Sequence, residues 1–449
     1  MDEKSGWLAE APRAAADYAS DAALYQRFWQ KGETLLRRLP PKPARHAAEA
    51  EAAASILDAL RQSRERFCDA HAVTLYRALT DELRRFLRVD ALVEAAAAAL
   101  PGLVPAPSSL AREPALAQRD KDGAEIDQGI FLAAVLADPT AGMHLCHAML
   151  LPRPEAAARA EEFRIAGALD LGAALVERHG AAIHVTMRNP RYLNAEDEGT
   201  IDALETAIDV ATLDPRSAIG VLRGAPVPHP KWQGRRVFNA GINLTHLYQG
   251  KISYLWYLRR DLGLVNKLFR GVARPDRSPD EIHGGTIEKP WLGAVDGFAI
   301  GGGCQLLLAL DYVVAASDAY LTLPARKEGI IPGAANLRLP RFTGDRIARQ
   351  AILSGRRIDC AAPEGRLVCD EIVAPDAMDE AIDRAIADFT GSGVVSAAGN
   401  RRALRVGMEP LDLFRRYMAV YAREQAYCHF SPALIANLER HWNAANRAG

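Results

Sequence analysis

Apolar residues recur every three to four positions through much of the first 180 residues of this 449-residue chain. Leu75, Leu79, Leu83 and Phe86/Leu87 form one such stripe, in a run rich in Ala, Leu, Glu and Arg. That spacing and composition predict amphipathic helix. Four prolines in "PGLVPAPSSLAREP" interrupt it. Further helical stretches are predicted around 127–150 and 155–178. From Gly180 the pattern changes. "AAIHVTMRNP" alternates and is β-branched, which predicts a strand ended by a turn at Asn189-Pro190. "TIDALETAIDVATL" then has helical spacing, and "SAIGVLRGAP" predicts a buried strand. "KPWLGAVDGFAIGGG" predicts a strand and a glycine turn before a helix, and "DYVVAAS" and "AYLTLP" predict further strands. From about 376 the chain is helical again. The pattern defines an α/β protein in three parts: a helical domain over 1–180, a core of βαβ-type units over 181–375, and a C-terminal helical segment over 376–449. The amphipathic stretch "SPALIANLERHWNAA" in that last segment is expected to serve oligomerisation.

Composition narrows the partners. The formal net charge is −1 with 25% charged residues, which gives no support to a nucleic-acid or membrane partner. Six cysteines are scattered without a CxxC pair, as expected of reduced thiols in a cytoplasmic protein. The N-terminal "MDEKSGWLAEAP" lacks the basic and apolar regions of a signal peptide. "ALVEAAAAALPGLVPAP" is broken by Glu94 and by prolines, too soon to span a bilayer.

Candidate chemistry lies in two glycine turns. "FNAGINLTHL" and "AIGGGCQLLL" each bring bare backbone toward a predicted helix start. There the first amide N–H groups lack intrahelical acceptors, and glycine leaves room for close approach. Two such turns facing each other would give one N–H each to a single oxygen, forming an oxyanion hole. Either turn alone is equally a tight strand-to-helix connection. "HLCHAM" sets His144, Cys146 and His147 close together, but in an apolar run with no HExxH or CxxC beside it, so packing histidines are expected there rather than metal ligands.

Five ordered motifs decide between these alternatives: "IHVTMRNPRYLNAED", "FNAGINL", "VDGFAIGGGCQLLLALDYVVAAS", "EGIIPGAANLRLPRFTG" and "LSGRRIDCAAPEGRLVCDEIV". Over roughly 180–385 the chain resembles the crotonase (enoyl-CoA hydratase/isomerase) superfamily. The resemblance implies a crotonase-like ββα spiral core, acyl-CoA thioester binding, and a homotrimer or homohexamer. By motif position it implies that the two oxyanion donors are the backbone N–H groups of Ile242 and Gly302. Ala or Gly is usual where this chain has Ile242, a difference that a backbone donor tolerates.

Two departures redirect the chemistry. Hydratases of this superfamily carry one glutamate directly after "GGGC" and a second eight residues before the glycine of "IPG". Here Gln305 and Ala325 stand at those positions, and Glu328 lies three residues late. Water addition needs carboxylates to handle protons, which an amide and a methyl cannot do. The long helical N-terminal domain is the second departure. Together with "DQGIFLAAVLADPTAGMHLCHAMLLPR" it resembles a dioxygenase branch of the superfamily. In that branch an arylacetyl-CoA thioester reacts with O₂ without metal or organic cofactor. This implies that Glu196, Arg260 and Gln305 meet the aromatic ring or its hydroxyls. The α-proton would go to a substrate phenolate or to Glu196. Lys231, Arg235 and Arg236 are candidates for the CoA phosphates, or a solvated basic cluster. Other acyl-CoA isomerases or thioester hydrolases, or a catalytically inactive acyl-CoA-binding protein, are the competing expectations.

Overall fold

The computed structural model describes residues 3–446 except 14, 16, 233, 284, 392 and 393, with the backbone alone at 394 and 395. The outermost residues of the predicted terminal segments, 1–2 and 447–449, lie outside the described residues. In chain order the strands are β1 (Ala168–Asp170), β2 (Ala174–His179), β3 (Ala182–Met187), β4 (Ile219–Gly224), β5 (Val272–Ala273), β6 (Thr286–Ile287), β7 (Trp291–Val295), β8 (Phe298–Ile300), β9 (Tyr312–Ala316), β10 (Tyr320–Thr322), β11 (Ile358–Asp359) and β12 (Glu371–Val373).

Seven of these make one sheet in the order β1-β2-β3-β4-β7-β9-β12. β1, β2 and β3 pair antiparallel, and from β3 onward the neighbours are parallel. β8, β10 and β11 form a smaller sheet in which β8 and β10 are parallel. β7-β8 and β9-β10 thus each send one strand to each sheet, so successive strand–strand–helix turns stack. Every residue of β7 is buried, which explains its unbroken apolar run.

The sheet core is one cluster of apolar side chains, and a second cluster lies outside it. The second joins the N-terminal helices to the helix Leu411–His429 and to Trp256, Tyr257 and Ile242. A Cβ on Gly129 of the helix Ile126–Ala137 would lie 2.5 Å from Ala426 Cβ, so these two helices pack almost backbone to backbone. The predicted N- and C-terminal helical segments therefore share a single core. The apolar stripe of the helix Pro432–Trp442 is covered within the chain, with Leu434 and Leu438 buried.

Three sequence expectations need correction. The helix beginning at Ala47 stops at Leu79, because Asp81, Glu82 and Leu83 take positive φ of 50°, 52° and 66°. Leu83 and Phe86 thus leave the predicted stripe. His144 Nε2 bonds the Leu83 carbonyl at 3.0 Å, and the His144 ring stacks on Phe86. The predicted helix over 127–150 is two helices, Ile126–Ala137 and Pro139–Leu150, bent by 111°. Pro139 cannot continue the first, and Asp138 caps the second. The predicted helix over 155–178 ends at Ala166. Gly167, at φ 73°, closes it and turns the chain into the β1–β2 hairpin, so the sheet begins before residue 180. Among the described residues no single helix is long and apolar enough to cross a membrane.

Candidate active site

The two glycine turns meet. Ile300 N–H donates to the Asn239 carbonyl at 3.0 Å, and Asn239 N–H to the Phe298 carbonyl at 3.4 Å, which ties the first turn to β8. A Cβ on Gly241 would lie 2.7 Å from the Ile300 oxygen and 3.1 Å from the Gly302 nitrogen, so no larger residue fits between them. Gly241 also needs its φ of 78° to reverse the chain before Ile242. A parallel bridge couples Ile242 to Glu196: Glu196 N–H donates to the Gly241 carbonyl at 2.7 Å and Asn243 N–H to the Glu196 carbonyl at 2.8 Å. Ile242 is therefore not at a helix start, as the sequence suggested; the helix Leu244–Tyr248 begins two residues on, capped by Asn243. Gly302 is the first residue of the helix Gly302–Leu307. Neither the Ile242 nor the Gly302 N–H has an acceptor among the described residues.

Both amides border a tight chamber of about 30 Å³. Arg260 and Gln305 form its polar wall, and Trp256, Tyr257, Ile330, Ile331 and Tyr421 supply apolar surface. A π-helical turn over Arg259–Val265 places the guanidinium. It sends the neighbouring arginines apart: Arg259 goes to Glu198 and Arg260 goes inward. Arg260 is 2% exposed, and every bond it makes is internal. Nε donates to Glu196 Oε2 at 2.7 Å, and Nη2 to Glu196 Oε1 and the Gly302 carbonyl at 3.0 and 2.8 Å. Nη1 donates to Asp261 Oδ1 at 3.0 Å and to Gln305 Oε1 at 2.7 Å. Burial works against the Arg260 charge, but Glu196 and Asp261 overcome it and hold the guanidinium firmly protonated. Burial pushes the Asp261 carboxyl up, against the pull of Arg260 and a hydrogen bond from Tyr421.

The glutamine's orientation follows. Arginine has donors and no acceptor, so the oxygen of Gln305 must face Arg260 and its NH₂ is free to serve the chamber. Glu196 lies behind this wall. Its two oxygens accept from Arg260, and Oε1 also accepts from Asn239 Nδ2 at 3.2 Å. A Cβ on Gly302 would meet Glu196 Oε1 at 2.8 Å and Arg260 Nη2 at 3.0 Å, so the bare backbone there makes room for the ion pair.

A second cavity, of about 510 Å³, opens outward from the chamber. Ala240, Ile242 and Glu328 line both. Arg191, His229, Lys327 and His441 stand around the outer cavity, with Leu438 and Trp442 closing one side. Lys231, Arg235 and Arg236 do not line it: Arg235 pairs with Asp318 at 2.8 Å, and Arg236 bonds the Gly224 carbonyl at 3.2 Å. His144 and His147 are also elsewhere. His144 Nδ1 bonds the Tyr76 hydroxyl at 2.7 Å, Nε2 holds Leu83, and His147 Nε2 bonds the Arg274 carbonyl at 3.1 Å. Trp256, Tyr257 and Tyr421 were not singled out from the sequence. Tyr421 lies far from the glycine motifs along the chain, and the aromatic spacing around Trp256 and Tyr257 is that of ordinary core.

Two unpartnered backbone donors thus face a buried chamber that continues into an outer cleft, an arrangement suited to holding a developing oxyanion. The chain belongs to the crotonase (enoyl-CoA hydratase/isomerase) superfamily. The enoyl-CoA hydratase/isomerase family model matches residues 280–403. The chain is 50% identical over 398 residues to (3,5-dihydroxyphenyl)acetyl-CoA 1,2-dioxygenase of Amycolatopsis orientalis, covering 88% of this chain and 90% of the relative. A probable enoyl-CoA hydratase of Rhizobium meliloti is 30% identical over 257 residues, 56% of this chain and 90% of its own. A solved enoyl-CoA hydratase/isomerase of Xanthobacter autotrophicus Py2 superposes with a TM-score of 0.50 at 21% identity, over 62% of this chain and 96% of its own. That structure shares the fold.

Proposed function

We propose that this protein is a dioxygenase that converts 3,5-dihydroxyphenylacetyl-CoA and O₂ into 3,5-dihydroxyphenylglyoxylate and CoA, with no metal or organic cofactor. The observation that carries this is a pair of unpartnered amide donors beside a polar wall in which Gln305 and Ala325 occupy the hydratase glutamate positions. The relative that covers most of the chain supports it.

In this scheme the thioester oxygen sits between the Ile242 and Gly302 N–H groups, each contributing about 3 kcal/mol to the developing enolate. The aryl group enters the chamber by displacing its apolar side chains and reaches toward Arg260 and Gln305, whose NH₂ bonds a ring hydroxyl. Trp256 offers a second donor: its buried indole N–H has no acceptor among the described residues. The CoA arm lies in the outer cavity, where Arg191 and Lys327 favour its phosphates. The aryl-stabilised enolate passes one electron to O₂, and the two radicals join at the α-carbon. The peroxide attacks the thioester carbonyl and expels CoA thiolate. Loss of the remaining α-hydrogen then forms the keto group as the O–O bond breaks onto the carboxylate. The apolar walls keep water and stray protons from these intermediates.

Labelled ¹⁸O₂ is expected to place one atom at the α-carbon and one in the carboxylate, with turnover unchanged by exhaustive chelation. Label entering the carboxylate from water would mean thioester hydrolysis. Turnover without O₂ would mean an isomerase. Activity lost on chelation and restored by iron or copper would refute the cofactor-free scheme. The assembly in this proposal is a cytoplasmic homotrimer or homohexamer. Leu404, Val406, Met408 and Val420 are exposed and available for its contacts, and light scattering tests it.

A further inference from the structure

The chamber and the outer cavity share three lining residues, and they define the neck through which an acyl-CoA must thread. Ala240 and Ile242 belong to the first glycine turn; the third is Glu328. A thioester whose oxygen rests on the Ile242 and Gly302 amides has its carbonyl carbon in that neck. Its α-carbon is then one bond further toward the chamber, within the span that Glu328 borders.

Glu328 ends the short helix Ala325–Glu328. Positions three apart on a helix share a face. The carboxylate therefore comes from the same face as Ala325, about one turn later. It is partly buried and forms no hydrogen bond or ion pair with the described residues. The other carboxylates near the chamber are committed: Glu196 and Asp261 both bond Arg260. Few charges face Glu328. Tyr257, from the helix Tyr254–Leu258, is the ionisable group that feels its charge most plainly, and its hydroxyl lies 3.3 Å from His429 Nδ1. Burial holds His429 down to about 3, hence neutral. Arg326 and Lys327 on its own helix are exposed, and Lys327 and His441 stand on the outer-cavity side.

We propose that Glu328 is the base that removes the α-proton of the bound acyl-CoA. This rests on the acyl-CoA reaction proposed above. The C–H bond breaks heterolytically, its electron pair enters the enolate held by the two amides, and the proton passes to a Glu328 oxygen. That proton leaves with the CoA thiolate when the thioester is cleaved. The burial that leaves the carboxylate unpaired also raises it to about 7, a suitable value for a base at neutral pH.

The test separates deprotonation from oxygenation. Under nitrogen in D₂O, the wild type is expected to exchange the α-hydrogens of 3,5-dihydroxyphenylacetyl-CoA, with a rate that rises with pH and levels above about 7. Glu328→Gln should lose this exchange by about 100-fold or more, while still binding a non-exchangeable thioether analogue in calorimetry. Glu328→Asp should keep exchange within about 10-fold of wild type. Exchange by Glu328→Gln near the wild-type rate would overturn the assignment, as would equal losses in the Gln and Asp variants. Wild-type exchange that depends on Glu328 without any O₂ uptake would uphold the base and refute the dioxygenase instead.

Discussion

Arg260 Nη1 donates to Gln305 Oε1 at 2.7 Å and to Asp261 Oδ1 at 3.0 Å, while Nε and Nη2 hold Glu196. One cation thus already answers two buried carboxylates. A neutral amide is the group that can accept a further bond there without adding a third negative charge, and in doing so it turns its own donor toward the chamber.

Gln305→Glu is therefore expected to lower turnover of the arylacetyl-CoA by about 100-fold or more, because the added carboxylate opposes the developing enolate and removes the NH₂ donor. It should not hydrate crotonyl-CoA efficiently, since Ala325 still lacks a carboxylate. Oxygen uptake and loss of enoyl absorbance measure the two activities. Efficient hydration by the variant, or by the wild type, would contradict this account of position 305.

Arg260→Met should be costly for the fold as well as for activity. It leaves Glu196 and Asp261 buried without their cation, a loss of about 3–5 kcal/mol in denaturant unfolding. Combining it with Glu196→Gln should restore part of that stability but none of the turnover. A single variant as stable as the wild type would show that the ion pair is not structural.

Gly241→Ala tests the meeting of the two turns. The methyl would lie 2.7 Å from the Ile300 oxygen, at a φ of 78° that alanine rarely adopts. Separating the amides should cut kcat by about 100- to 1000-fold, the usual effect of losing one oxyanion donor. Binding of a CoA thioether, which places no oxyanion, should change far less. Equal losses in both would locate the damage elsewhere.

Glu409 predicts an acid limit for the C-terminal helices. Burial alone would raise its carboxyl, but Arg338, Arg270 and Arg341 overcome that and hold it at about 2. A depressed carboxyl stabilises the fold fully above its ordinary value of 4.5 and loses that contribution as pH falls from there through about 2. Urea midpoints should fall across this window. Glu409→Gln should remove that part of the pH dependence and cost about 3–5 kcal/mol at pH 7. An unchanged acid profile would count against the cluster.

What the sequence could reveal depended on distance along the chain. The pattern of the main strands from β3 to β10 and the two glycine turns are local, so they could be read directly, whereas Ile242 and Gly302 were picked out as the donors by the resemblance to the crotonase superfamily. The adjacent Arg259 and Arg260 could not be told apart by helical spacing, because the chain winds as a π-helix there. The left-handed residues 81–83 carry no glycine; a histidine some sixty residues later holds that turn. Glu328 was visible as a glutamate in the wrong register, but its place at the neck depends on the cavity, which no linear pattern encodes. Tyr421 reached the chamber through a helix that, from sequence, belonged to a separate segment.

That last arrangement fixes the order in which the protein can become active. Tyr421 walls the chamber, and Leu438, His441 and Trp442 wall the outer cleft, whereas the amides that would bind the thioester belong to Ile242 and Gly302. On the ribosome, the thioester-binding turns emerge well before the helices that seal them. A nascent chain that has released Glu328 carries both donors and the polar wall but still lacks Tyr421 and the helix that closes the outer cleft. Closure comes with the final stretch of synthesis, so a chain truncated before Tyr421 is not a slower enzyme but an unsealed one.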